Sequence, residues 1–201
     1  MNRLRHGAAY ATLVMALVAC RPAASGDSGE PSSATSPAAS EASGGVATSS
    51  SPGAVADLGT WIPDTVAGMT MQKQTMSGDA YIQQFGDQAI AAMLEDLDVA
   101  PSDAAVALGV GSSPALNLSA RMLVIRAPAA DSDQLDEAFK TATNGVRDTP
   151  LDWTATSIGG KQVETAVDGP ATNYLYVTDD VLVFVTSSDQ EVAAEIISGL
   201  P

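Results

Sequence analysis

Large apolar residues are unevenly placed along this chain, and their placement decides where a core can form. Between residues 21 and 56 the only larger aliphatics are Val46 and Val55, and no aromatic occurs. The rest is Ser, Ala, Gly, Pro and Thr with three acids and one arginine. Such a stretch buries too little apolar surface to offset the entropy lost on ordering. Residues 20–57 are therefore expected to form a flexible tether, with an r.m.s. span of roughly 30 Å. The texture changes at Leu58-Gly59-Thr60-Trp61-Ile62-Pro63. Residues 58–201 are expected to make one domain, long enough to bury a working core without disulfides.

The first 20 residues read MNRLRHGAAYATLVMALVAC. Arg3 and Arg5 give a basic start, and the apolar run from Ala8 to Val18 is too short to span a bilayer, which takes about 20 residues. A basic start, an apolar middle and small residues before a cut describe an export signal, here residues 1–19. Leu17-Val18-Ala19-Cys20 resembles the bacterial lipobox, and Cys20 is the only cysteine of the chain. The resemblance implies cleavage between Ala19 and Cys20, a diacylglyceryl thioether on Cys20 and a new amine open to acylation. Two or three acyl chains hold a protein firmly where one does so marginally, at about 0.8 kcal/mol per buried CH₂. The expected location is the extracytoplasmic face of a membrane, held by this lipid.

Periodicity outlines the domain. A strand is expected near Thr70 to Met76. Ile82, Phe85, Ala89, Ile90, Met93, Leu94 and Leu97 fall at helical spacing behind Asp79 as N-cap, with Pro101 ending the helix. The run SDAAVALGVG reads as a second short helix, capped by Ser102 and closed by Gly109. A strand over 120–128 leads to a helix over 131–146 that stops at Asn144-Gly145. Two strands are expected around Gly159-Gly160, and a hairpin over 172–187 turns at Asp179-Asp180. Ser188 and Glu191 have capping-box spacing for a last helix with Val192, Ile196, Ile197 and Leu200 as its buried stripe.

Two pairs of segments are alike in order. TVAGMTMQKQTMSG (65–78) matches SIGGKQVETAVDG (157–169), and MLVIRAPAADSDQLDEAF (122–139) matches VLVFVTSSDQEVAAEI (181–196). The pattern reads as a duplicated strand–strand–helix unit, elaborated in its first copy. The fold class expected is α+β, an antiparallel sheet with helices packed on one face. Trp61–Gly68, Ile158–Lys161 and Asp189–Pro201 are similar to C-terminal domains of uncharacterised bacterial surface lipoproteins, a resemblance that implies no activity.

Charge and chemistry narrow the function. From residue 57 on there are 21 Asp and Glu against 6 Lys and Arg, a net charge of -15. That surface repels phosphate backbones and argues against nucleic acid as a partner. The only histidine, His6, lies in the export signal. Beyond Cys20 the chain thus has no thiol nucleophile and no histidine for a catalytic triad or zinc. None of Lys73, Lys140 and Lys161 sits in an S-x-x-K sequence. Gly159-Gly160-Lys161 is no P-loop, because Gln162 follows where Ser or Thr is needed and a strand comes next.

Carboxylates gather at Glu95, Asp96, Asp98 and Asp103, at Asp131, Asp133, Asp136 and Glu137, and at Asp179-Asp180. None fits a calcium loop, and helix starts and turns account for several. Met69, Met71 and Met76 are soft ligands that could hold Cu(I), or else core fillers. No cofactor is expected beyond the covalent lipid. The expected function is a binding module, not an enzyme, that engages a protein, glycan or small molecule. A carrier of lipid or other hydrophobic ligands is the alternative, and a hydrolase using carboxylates or a Ser-Lys pair, or a metal-binding protein, stands behind both. Cys20→Ala should leave the protein unacylated and shed it from the membrane fraction. Radiolabelled fatty acid still incorporated in that variant would overturn the lipid anchor.

Overall fold

The computed structural model describes residues 57–201, which lie within one compact unit. The lipobox residues Leu17–Cys20, the cleavage site at Ala19 and Cys20, and the tether up to residue 56 lie outside the described residues. The fold is α+β. Seven strands form one antiparallel sheet: β3 (Gln72–Ser77), β4 (Ala105–Ser113), β5 (Leu118–Arg126), β6 (Thr154–Ile158), β7 (Lys161–Asp168), β8 (Ala171–Thr178) and β9 (Val181–Ser187). Their order is β3-β4-β5-β9-β8-β7-β6. A small ribbon of β1 (Thr65–Val66) and β2 (Met69–Thr70) precedes them. The helices are α1 (Gly78–Phe85), α2 (Gln88–Asp96), α3 (Ser132–Gly145) and α4 (Gln190–Ser198).

Alternation along the strands sorts side chains to two cores. On one face Val124, Val183 and Met122 meet Val192, Ile196 and Ile197 of α4, together with Leu58, Ile62, Val66, Met69 and Met71. On the other face Val106, Ile125 and Leu182 meet Ile90, Met93, Leu94, Leu135 and Phe139 from α2 and α3. Three helices thus share one face, as expected of the class, and α4 covers the opposite one. β3-β4-β5 and β7-β8-β9 are up-and-down meanders joined through β5 and β9. The matching sequence segments supply corresponding strands, β3 with β7 and β5 with β9, but the helices that follow β5 and β9 lie on opposite faces of the sheet. Each copy also begins with a tight turn in left-handed backbone, Ala67-Gly68 in one and Gly159-Gly160 in the other. In the first copy α1 and α2 stand between β3 and β4, where the second has only a turn between β7 and β8.

Several expectations need correction. Ala105–Ser113 is a strand, not a helix capped by Ser102, and it pairs along its whole length with β5 and over residues 105–110 with β3. Pairing on both sides overrides the helix preference of its alanines. Its glycines have a tertiary reason. A Cβ at Gly109 would fall 2.7 Å from Ile62 Cγ2, and one at Gly111 would fall 2.5 Å from Met71 Sδ. The helix expected from Ile82 to Leu97 is two helices. Gly86, at φ 63, closes α1, and Asp87 starts α2 by accepting from the Ala89 and Ile90 amides. Ser77, not Asp79, is the N-cap residue of α1. The last helix is capped by Asp189, whose carboxylate accepts from the Glu191 and Val192 amides, and not by Ser188.

The other elements follow the sequence closely. Asp131 caps α3 in a reciprocal box with Gln134. The β8–β9 hairpin turns at Asp179-Asp180, and Val192, Ile196, Ile197 and Leu200 are all buried. Gly78→Ala should test the tight seat of α1, because its Cβ would lie 2.7 Å from the backbone oxygen of Pro101. A backbone oxygen cannot swing aside as a side chain does. The expected loss is about 1–3 kcal/mol, read as a fall in the urea midpoint at constant slope.

Candidate functional site

The cross-strand register lays three rows of side chains over the face that carries α1, α2 and α3. Val106, Ile125 and Leu182 form the first row, beneath the helices, and are fully buried. Leu108, Leu123 and Phe184 form the second and are half-buried. Val110, Arg121 and Thr186 form the third, with Val110 45% exposed. Helix cover therefore ends between the first row and the third. The uncovered strip and the side of α1 make a groove of about 490 Å³. That is within the range of about 300–1,000 Å³ that takes small ligands.

The wall is built by α1 and the turn after it. The Tyr81 and Phe85 rings lie 5.0 Å apart, and Phe85 is 49% exposed. The Tyr81 hydroxyl donates to Asp87 Oδ2 at 2.9 Å. Asp87 Oδ1 accepts from the Ala89 and Ile90 amides at 3.1 and 3.2 Å. Both carboxylate oxygens of Asp87 are thus engaged. Burial pushes the Tyr81 hydroxyl pKa up, and the hydrogen bond to Asp87 and the Asp87 charge push the same way, while Arg121 opposes them. Tyr81 is therefore a fixed hydrogen-bond donor, not a base. On the floor, Phe184 packs against Phe139 at 5.1 Å and meets Trp153 edge-on at 6.4 Å.

Charge pairing sets Arg121 apart. Lys73 Nζ sits 2.8 Å from Asp64, and Arg147 Nη2 sits 2.7 Å from Asp168. Arg126 reaches Asp180 at 3.7 Å, and Lys140 bridges Asp136 and Glu164. Lys161 donates to the Pro201 backbone oxygen at 3.0 Å and lies over the Tyr176 ring. Among the described residues Arg121 forms no ion pair, and it lines the groove.

The residues singled out in the sequence lie elsewhere. Met69 and Met71 are buried at Gly111 on the α4 face, whereas Met76 packs with the other core. The three thioethers are not brought together. Asp96, Asp98 and Glu137 line one shallow cleft between the α2 end and α3. Among the described residues no three His, Cys, Asp or Glu side chains are grouped so as to hold a metal ion. Asp131 is spent as a cap and Asp180 on Arg126. Asp136 and Lys140 tie α3 to Glu164 of β7, and burial pushes the Asp136 carboxyl up while Lys140 pulls it down.

Leu108, Val110, Leu123 and Phe184 carried no site signal in the sequence, since apolar residues in strands read as core. Arg121 carried a faint one, as a charge opening the apolar run RMLVI. No protein-family model matches this chain, and no curated protein matches it closely enough to count as a relative.

The wall is open to test through its hydrogen bonds. Asp87→Ala should cost about 2 kcal/mol, about half for the lost cap and the rest for the Tyr81 hydroxyl left without its acceptor. Tyr81→Phe should cost about 1 kcal/mol. The double variant should lose less than the sum of the two in thermal or urea unfolding, since the pair shares one bond. Strict additivity would show that the bond contributes nothing.

Proposed function

We propose that this chain is a membrane-anchored extracytoplasmic lipoprotein whose folded part binds a small ligand in the groove beside α1. The lipobox resemblance at Leu17–Cys20 supports the anchor, and the polar stretch behind it supports a tether. Among the described residues no helix is long and apolar enough to cross a membrane. Binding is favoured over catalysis because residues 57–201 contain neither histidine nor cysteine.

One observation carries the reading: the helical layer stops short of a sheet face whose next residues are Leu108, Leu123, Phe184 and Val110. An apolar strip left uncovered beside an aromatic wall loses free energy to water that a ligand would restore, at about 25 cal/mol per Å². The groove is too small to be the whole footprint of a folded protein partner, which takes about 800 Å² per side. A carrier that shields a wholly apolar cargo needs an enclosed cavity. This groove is open, with Val110 and Phe85 each about half exposed.

Native mass spectrometry of the mature protein from its own membrane tests both halves. The expected spectrum shows a covalent lipid on Cys20 and a non-covalent small molecule. Val110→Glu, at an exposed position that leaves the core alone, should lose the small molecule and keep the lipid. A small molecule retained in full by Val110→Glu would remove the groove from consideration.

A further inference from the structure

Resting on the groove as the binding site, we infer that its ligand is a free single-chain amphiphile whose anionic head, a carboxylate or its equivalent, docks on Arg121. Three observations lead there. The first is charge. Residues 57–201 carry a net charge of -15, and an anion would be repelled nearly everywhere on them. Of their six cations, four are paired with carboxylates and Lys161 is held by Pro201 and Tyr176. Arg121 alone of the six forms no such bond, and it stands exposed in the lining of the groove.

The second is the state of the acid that shares the groove. Asp87 gives one oxygen to the first turn of α2 and the other to the Tyr81 hydroxyl. Held by these bonds, the Asp87 carboxylate forms no ion pair with Arg121, which leaves the guanidinium fork open to a ligand. The third is the order of the rows. Arg121 stands in the outer row, between Val110 on β4 and Thr186 on β9. The apolar row of Leu108, Leu123 and Phe184 lies next to it, toward the helices. A ligand that follows this order has a charged end and an apolar body, and the groove volume suits one short chain rather than a many-chained lipid. The guanidinium fork matches a planar carboxylate in two parallel hydrogen bonds.

The test compares three ligands with one tail and three heads: octanoate, octanamide and octyltrimethylammonium. Each is titrated into the full chain held in nanodiscs, with empty nanodiscs as the blank. Calorimetry gives the affinity, and tryptophan fluorescence, compared with a Trp61→Phe chain that keeps only Trp153, gives the place, because Trp153 meets Phe184 edge-on at the floor. Octanoate should bind about tenfold more tightly than octanamide, the difference between a charge-assisted and a neutral hydrogen bond. Octyltrimethylammonium should bind most weakly. Arg121→Gln should erase the preference for octanoate while octanamide binding stays, and Arg121→Lys should keep part of it.

Equal affinity for octanoate and octanamide, or an Arg121→Gln variant that still prefers octanoate, would overturn the anionic head. In that case Val110→Glu would still block both ligands, and the groove would stand as a neutral apolar site. No binding by any of the three to the unmodified chain, or binding that Val110→Glu leaves untouched, would overturn the groove and with it this inference.

Discussion

The pairing of β5 with β9 is the interaction on which the remainder of the structure depends. These strands lie about 60 residues apart in sequence, and they meet at the centre of the sheet as Val124 against Val183 and Ile125 against Leu182. All four are fully buried, two on each face. Burying such side chains stabilises by about 1.5–3 kcal/mol each, so the junction anchors both cores at once. It also closes what would otherwise be two meanders with an apolar edge each. Neither half would keep both faces covered alone, because α4 comes from the second and α1 and α2 from the first.

That central pairing also determines where the groove lies. With register fixed, Val106, Ile125 and Leu182 are forced into one line, and so are Leu108, Leu123 and Phe184, and Val110, Arg121 and Thr186. Helix cover then decides which line is core and which is surface. A slip of one residue would turn each line to the other face. The break at Gly86-Asp87 matters for the same reason. It stops α1 early, turns Phe85 to solvent and leaves Asp87 to join the two short helices through one carboxylate.

The acidity of residues 57–201 has a structural counterpart. With 21 acids and only 6 cations, nearly every cation finds a partner. Most of these pairs are partly exposed, where such a bond contributes under about 1 kcal/mol. They tie elements together more than they stabilise them: Lys140 joins α3 to β7, and Arg126 joins the end of β5 to the β8–β9 turn. What they leave over is a single unpaired guanidinium, which is a matter of placement and not of composition.

Much of the fold was legible in the sequence because its signals are local. Period-2 alternation with Gly159-Gly160 and Asp179-Asp180 between the runs specified the strands from β6 to β9, and Asp131 with Gln134 specified the start of α3. The likeness of the two halves was legible too: the two like segments do fall on β5 and β9, which pair at the centre of the sheet, but the helices that follow them cover opposite faces. What could not be read were the non-local decisions. Alanines and glycines in AAVALGVG read as a helix until β3 and β5 flank them and Ile62 and Met71 fill the space over Gly109 and Gly111. Phe85 read as one position of a single continuous helix, and Arg121 carried no sign of standing unpaired. The sequence by itself determined the class of fold, the acid surface and the absence of histidine and thiol beyond Cys20, since these depend on composition and near neighbours. Only the tertiary structure decided which apolar rows the helices leave uncovered and which cation goes unpaired, because both depend on strands and helices brought together from distant parts of the chain.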